Sequence, residues 1–494
     1  MFVAHDWRDD RIEELERQVA ERDRTIAELM ARVAELLRRV ADLEEKQRKS
    51  SRNSSKSPSS DTPAQAAERR KKAAQITKVP SGQRKPGGQP GHERFTRPVV
   101  PRAEVDRHQD CVPKQCEACH ARLDGHDPDP RLHQVWHLPE VRPVVEQFAL
   151  HALTCPGCRH VTRAHLPDGV PTGAFGPTVV ATVTVLMGLC RLGKRTVQEV
   201  LSNMFGLDMS LGAVVGCQDI GSTAIAAPVE EAKAFVRKAS VKHSDETSWP
   251  EGPKRAKVWL WTVVTATVVV FAIQRQRSAE AAKTLLGKLG GVLVSDRYSS
   301  YSFWRLWMRQ VCWAHLIRDF VSIAERGGES ARIGDALLGE ARRLFVWWHR
   351  VRDGTLSRHD FRVYAHTMQK RVRALLEEGR ECADSKTAKT CAQMLRVFPA
   401  MWLFVERAGI DPTNNAAEQV LRHAVLWRKI CGGTHSELGS RFVERILTVV
   451  ATLRKQERNI FEFVREACEA HFSGDQAPSL LPVTEVTQRL ARAA

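Results

Sequence analysis

The stretch Ser240-Val241-Lys242-His243-Ser244-Asp245-Glu246-Thr247 reads as a short strand that runs into two acids. Further on, Gly291-Val292-Leu293-Val294-Ser295-Asp296 repeats the plan: an apolar run too short for a helix, opened by glycine and closed by an acid. Between them, 257–265 and 268–275 are β-rich and can pair as a hairpin, and 278–289 is helix-like with Ser278 as its cap. Residues 310–313 supply one more strand.

Strand, strand, strand, helix, strand, with acids ending the first and fourth strands, is the order of a ribonuclease-H-like α/β core. In that order strands one and four are neighbours, so Asp245 and Asp296 are expected side by side. Glu246 competes with Asp245, because successive strand residues face opposite sides and only one can face a shared site. A third acid has to come from a helix packed on the sheet. Glu418 fits: Asp411-Pro412-Thr413-Asn414-Asn415 reads as loop and cap, and 416–427 as the helix. Two-metal phosphoryl transfer needs carboxylates that converge on one point, where two ions about 3.5–4 Å apart stabilise the entering and leaving oxygens. Asp245, Asp296 and Glu418 are therefore expected to hold two Mg2+ or Mn2+. Arg422, four residues on, is expected to touch a DNA phosphate or to pair with Glu418 itself.

Working outward, the chain of 494 residues is too long for one core. Its net charge of +17 favours a polyanionic partner, nucleic acid ahead of an acidic membrane surface. The longest apolar runs, 178–190 and 258–273, are shorter than the roughly 18 residues of a membrane span and contain threonines. The opening residues are polar, unlike a secretory signal, so the cytosol is the expected compartment and the 12 cysteines are expected to be reduced.

Ile12, Val19, Ile26, Val33 and Val40 occupy every a position of a heptad, and Leu15, Leu29, Leu36 and Leu43 every d position but Arg22. β-Branched a and leucine d residues favour a parallel two-stranded coiled coil, hence a homodimer or higher oligomer. Residues 46–107 hold 16 Lys/Arg against 5 Asp/Glu and few apolar residues, as in a flexible basic linker. Arg84 and Lys85 in it either track DNA phosphates or belong to a solvated tether.

Cys116-x-x-Cys119 and Cys155-x-x-Cys158 are separated by 35 residues. Together they can present four thiolates to one structural Zn2+, with His108, Cys111 and His160 as spare ligands. The intervening segment is expected to carry a strand pair near 135–138 and 144–150. Next, 195–204, a turn at Phe205-Gly206-Leu207 and 210–220 have a helix-turn-helix rhythm that would place Arg195 against DNA. Leu201, Val214 and Val215 would be buried there, as in any helical hairpin. Trp313, His315, Trp347 and Trp348 read as packing residues. Cys190, Cys217, Cys312 and Cys431 read as small buried hydrophobes.

Several tracts resemble, in order, the transposases of the insertion-sequence-66 family, a DDE group. They are Pro86-Gly87-Gly88-Gln89-Pro90-Gly91-His92, the two CxxC pairs, His243-Ser244-Asp245-Glu246-Thr247, Ser295-Asp296-Arg297-Tyr298-Ser299-Ser300-Tyr301, Cys312-Trp313-Ala314-His315 and Asn414-Asn415-Ala416-Ala417-Glu418. Arg297 stands where the family usually has glycine. The resemblance implies Asp245, Asp296 and Glu418 as the metal triad and a helical insertion at about 316–409. It also implies small accessory proteins encoded by the same element.

The expected chain is thus α+β and multidomain. It comprises a coiled coil (1–45), a basic linker (46–107), a zinc-ribbon-like module (108–168), a helical DNA-binding segment (169–238), a ribonuclease-H-like core with its helical insertion (239–463) and a tail (464–494). The expected activity is metal-dependent cleavage of double-stranded DNA at transposon ends and transfer of the 3′ hydroxyl into target DNA. A catalytically silent, transposase-derived DNA-binding protein or repressor is the alternative. A tyrosine recombinase is disfavoured: the 3 tyrosines, 298, 301 and 364, lack an Arg-His set.

Overall fold

The computed structural model describes residues 7–48 and 97–482, so Arg84, Lys85 and their tract lie outside the described residues. The heptad stretch forms one helix, α1 (Trp7–Arg48). Its a residues Val19, Ile26, Val33 and Val40 and d residues Leu29 and Leu36 are 50–58% exposed, so the apolar stripe finds no cover among the described residues.

The strand pair expected near 135–138 and 144–150 does not form. The antiparallel ladder joins β1 (Ala152–Thr154) to β2 (Val161–Arg163), across the second CxxC turn. A tight turn holds two strands together at small loop-closure cost. Val144 and Val145, 91% and 87% exposed, have nothing to pack on.

Four helices follow: α2 (Pro177–Gly188), α3 (Lys194–Phe205), α4 (Leu211–Ala224) and α5 (Ala226–Lys238). Gly206 closes α3 in the left-handed conformation, and the Ser210 hydroxyl accepts from the Ala213 N–H to cap α4, as the sequence predicts. Leu201 and Val214 are buried; Val215 is only half-buried.

The sheet is built from β3 (Val241–Glu251), β4 (Ala256–Val264), β5 (Val269–Gln274), β6 (Val292–Ser295) and β7 (Arg309–Val311), in the order β5-β4-β3-β6-β7. The first three form an antiparallel meander, while β6 and β7 run parallel to β3. The crossover from β5 to β6 carries α6 (Ala279–Leu286), capped by Ser278. Gly291, at φ +72°, lets the chain enter β6 so closely that a Cβ there would sit 2.3 Å from the Ala239 carbonyl oxygen.

Between β7 and the next helix of the core lie α7 (Trp313–Ala324), α8 (Gly328–Arg352), α9 (Arg358–Arg380), α10 (Ser385–Arg396) and the single turn α11 (Leu403–Glu406). Their apolar faces, with Leu337, Phe361, Leu376 and Phe404 at 0% exposure, form a cluster that also takes Val292 and Val294 of β6. The chain then returns through α12 (Asn415–Cys431), α13 (Glu437–Lys455) and α14 (Ile460–Ser473).

The other apolar cluster joins the sheet to α2, α3, α4, α5, α12, α13 and α14, so the helices before β3 share the core of the strands. Residues 464–473, expected in a tail, continue α14, because Phe463, Val464, Ala467 and Cys468 fall on one apolar face. Cys217 and Cys312 are buried as expected; Cys190 and Cys431 are exposed, each lying just past the buried stretch of its helix.

The free edge of β5 is covered by side chains of α13. The outward N–H groups of Val269 and Phe271 donate to the hydroxyls of Thr452 and Thr448, at 3.0 and 2.9 Å, and that of Ile273 to the Glu444 carboxylate. Acceptors four residues apart on a helix thus match donors two apart on a strand, at a rise of about 6 Å for each. This satisfies an edge that would otherwise invite pairing with another chain.

Candidate active site

His243 of β3 pairs in register with Val294 of β6. Two residues further along both parallel strands, the register sets Asp245 level with Asp296, as the sequence order predicts. Asp296 is fixed by the Tyr298 N–H, 3.0 Å from its Oδ1. Burial raises the Asp245 carboxyl well above its usual range, and Glu246, Asp296 and Glu418 raise it further. The third acid is therefore near enough to act on the first.

Glu418 reaches the site from the first turn of α12. Asn414 does not cap that helix with its side chain, contrary to expectation. Its Nδ2 donates to the Ser244 carbonyl at 2.8 Å and its Oδ1 lies 3.3 Å from His243 Nδ1, tying the helix start to β3. The segment Cys312-Trp313-Ala314-His315 makes the other tie. Cys312 N–H donates to the Ser295 carbonyl at 2.8 Å, next to Asp296, and Trp313 N–H to the Pro412 carbonyl at 2.9 Å. The Cys312 sulfur accepts from the Asn414 N–H at 3.1 Å. His315 Nδ1 and an Arg318 nitrogen each lie 3.5 Å from Glu418 Oε1. That oxygen is buried and has no hydrogen-bond partner.

Cys312, His315 and Glu418 offer ligand atoms within 4.8 Å of one another. The cysteine is a poor member of such a set, because burial pushes its thiol up to about 11 and its sulfur already accepts from Asn414. Trp313, fully buried, donates to the Met401 carbonyl at 2.6 Å and packs edge-on against Trp402. It is a packing residue, as read from sequence, whereas His315 borders the acids.

Glu246 lies on the other face of β3 from Asp245, the face it shares with Ser244. Tyr301, 0% exposed, donates to Glu246 at 2.5 Å. Arg277 adds an ion pair to Glu246 at 2.7 Å and reaches to 3.9 Å from Asp296. The Arg277 guanidinium also stacks 3.5 Å above the Tyr298 ring. Sequence reasoning gives Arg277 and Tyr301 no role, since they approach from other parts of the fold. Arg297, where the family usually has glycine, pairs with Asp319 at 2.9 Å and donates to Gln393 at 2.8 Å, joining the exit of β6 to α7 and α10.

Residues 172–441, from just before α2 into α13 and so including all three acids, match the model of the IS66 transposase family. That is more than half of the chain. The chain belongs to the IS66 transposase family. A second model, described only as a family of unknown function, matches residues 6–98. The chain is also similar to the uncharacterised protein y4hP of Sinorhizobium fredii (strain NGR234), 23% identical over 343 residues. That match covers 61% of this chain and 60% of the length of that protein.

Outside the core of this family member, the two CxxC turns share one conformation. In each, the first cysteine N–H donates to the carbonyl five residues on (Cys116 to Ala121, 2.9 Å; Cys155 to His160, 2.8 Å). Its carbonyl accepts from the residue after the second cysteine, His120 or Arg159, held at φ +58° and +60°. Backbone N–H groups of Cys119 and Ala118 lower the Cys116 thiol, and those of Cys158 and Gly157 lower Cys155, favouring the metal-binding thiolate. No three of the four sulfurs lie within 4.8 Å of one another, so each turn is formed without the set being gathered.

Of the basic residues singled out, Arg195 is exposed on α3. Arg422 is exposed on α12 and does not pair with Glu418, whose ion-pair partners are His315 and Arg318. No described helix is long and apolar enough to cross a membrane.

Proposed function

We propose that the chain is a DNA transposase that cuts the phosphodiester at the ends of its element and joins the freed 3′ hydroxyl to target DNA. The observation that carries this reading is the convergence of Asp245, Asp296 and Glu418 from two adjacent parallel strands and one helix, with Glu418 Oε1 buried and accepting no hydrogen bond. A buried carboxylate oxygen that accepts no hydrogen bond, beside two further acids that repel it, fits a site for divalent cations. Asp245, Asp296 and Glu418 would hold two Mg2+ or Mn2+, which would supply Lewis acidity to the phosphodiester oxygens. The sheet order β5-β4-β3-β6-β7 supports a ribonuclease-H-like core, with α7 to α11 as its helical insertion.

The chain's own residues hold that geometry. Asn414 fixes the height of Glu418 above β3, and the Cys312 and Trp313 N–H groups lock the end of β6 to the loop before α12. Buried Arg309 donates to the Asp296 carbonyl at 2.7 Å and to the Ser295 hydroxyl at 3.2 Å, setting where Asp296 leaves the sheet. Arg277 and Tyr301 hold Glu246 away from the Asp245 face.

In the same reading, double-stranded transposon ends and target DNA are the partners, and α1 pairs in parallel with a second copy to bring two ends together. Cys116, Cys119, Cys155 and Cys158 take one Zn2+. Accessory proteins of the element complete the assembly. The test is Mg2+- or Mn2+-dependent nicking and strand joining on labelled DNA with the element's own ends, comparing wild type with Asp296→Ala, accessory proteins supplied. Metal-dependent cleavage that disappears in the variant, with DNA binding kept, supports the reading. DNA binding without cleavage by either protein would establish the catalytically silent alternative.

A further inference from the structure

One face of the molecule gathers cations without acids. His423, on α12 directly after Arg422, lies with its Nδ1 3.3 Å from a guanidinium nitrogen of Arg191, in the turn that follows α2. Arg454, in the last turn of α13, completes the group. Burial first, then Arg454, Arg191 and Arg422, lower the His423 imidazole, so the charged groups acting on it are all cationic. Among the described residues no carboxylate pairs with Arg191, Arg422 or Arg454, whereas Arg441 on α13 and Arg465 on α14 each have one. Arg191 is also held at φ +61°, a conformation that costs an ordinary side chain about 1 kcal/mol. Three elements far apart in sequence thus bring repelling charges to one place with no carboxylate among the described residues paired to them.

A phosphodiester backbone supplies what is missing. Guanidinium groups grip phosphate oxygens in bidentate fashion, and a neutral imidazole offers one further N–H. The position fits as well. Arg422 is one helical turn past Glu418, about 6 Å along α12 at 1.5 Å per residue. At 3.4 Å per nucleotide that is roughly two nucleotides from a phosphate at the acids.

We infer that Arg191, Arg422, His423 and Arg454 form a phosphate clamp that grips the DNA backbone about two nucleotides from the reacting phosphodiester. The clamp rests on the DNA-processing reading above. It reads no bases, so it acts alike on all sequences and sets the position of the strand rather than the choice of site.

The experiment is fluorescence anisotropy of a labelled duplex, without divalent metal, over a series of salt concentrations. It compares wild type, the triple variant Arg191→Gln/Arg422→Gln/Arg454→Gln, and a control triple, Arg352→Gln/Arg373→Gln/Arg380→Gln. The control removes the same charge from arginines that each lie by an acid. Each arginine–phosphate pair removed should lower the slope of log K against log salt by about 0.9, so the clamp variant should show a slope smaller by roughly two to three and bind at least about tenfold more weakly. The control should keep the wild-type slope. The matching Arg→Lys triple, which keeps the charge, should retain most of the slope and shows that a lower slope is not a folding defect. Clamp and control variants with equal slopes overturn the clamp alone. A wild-type chain that binds no DNA overturns the clamp together with the transposase reading, whereas failure to cleave with an intact slope difference leaves the clamp standing.

Discussion

Asn414 donates its side-chain amide to the carbonyl of Ser244, 2.8 Å away across 170 residues of sequence, and this bond sets how Glu418 stands over Asp245. Asn414 is 0% exposed, so removing the amide strands a buried carbonyl, at about 1–3 kcal/mol. Asn414→Ala is expected to lower the melting temperature and to reduce metal-dependent nicking by at least tenfold while DNA binding is kept. Asn414→Asp, which replaces the donor by an acceptor, should do worse on both. A variant that nicks at the wild-type rate would show that the bond does not position Glu418.

The acids make a second prediction, on pH and metal. Asp245, Glu246 and Glu444 are all raised in the fold, each by burial first. A carboxyl raised on folding binds its proton more tightly when folded, so these three groups contribute stability that is present below the ordinary carboxylate range and is lost as pH rises through the raised values. In chelator the stability these carboxyls contribute should therefore fall as pH rises above the ordinary carboxylate range, and Mg2+ should restore more at the higher pH. Asp245→Asn, which removes the repelling charge, should raise the metal-free melting temperature at pH 8 and abolish most of the Mg2+ response. A variant that still responds fully to Mg2+ would sink the assignment of Asp245.

These relationships divide into those visible in sequence and those not. Asp296 is legible because it directly follows a short apolar strand. Asp245, expected at a strand end, lies inside β3, which runs on to Glu251, and it is the pairing of β3 with β6 that puts the two acids together. Glu418 is legible as an acid near a helix start, but the role of Asn414 is not: a helix-cap residue and a residue that reaches across to a strand look alike until the partner strand is in place. The same holds for Cys312, which reads as a small hydrophobe and accepts a bond from Asn414. Arg277 and Tyr301 give no local signal, since Glu246 recruits them only after folding. The expected strands at 135–138 and 144–150 fail for the opposite reason: β-rich composition forms no ladder without a surface to pack on.

The cysteine turns give the third prediction. Their matched hydrogen bonding and lowered thiols hold each pair ready, and four such thiolates bind zinc tetrahedrally. Protein purified without chelator should carry one zinc per chain by elemental analysis. Cys119→Ser or Cys158→Ser should lose it, since three thiolates hold the ion far more weakly. Because Ala152–Thr154 and Val161–Arg163 flank the second turn, zinc removal should also speed proteolysis between 108 and 168 without shifting the melting of the sheet. Full zinc content in both variants would point to ligands other than this set.

The last prediction concerns the edge of the sheet. Thr448 accepts from the N–H of Phe271 at 2.9 Å, and both residues are buried, at 0% and 1% exposure. Valine has nearly the shape of threonine, so Thr448→Val keeps the packing of α13 on β5 and removes the hydroxyl, which accepts from Phe271 and donates to the Glu444 carbonyl within α13 at 2.8 Å. The stranded N–H should cost about 1–3 kcal/mol, or roughly 2–12 °C in melting temperature for a core of this size. Thr448→Ser keeps the acceptor and should cost less, removing only a buried methyl group worth about 1 kcal/mol. Because the uncovered donor lies on an edge strand, the valine variant should also aggregate more readily on heating, by light scattering. If serine proves as damaging as valine, the threonine methyl rather than its hydroxyl holds the edge, and the match between helix and strand spacing is a packing effect alone.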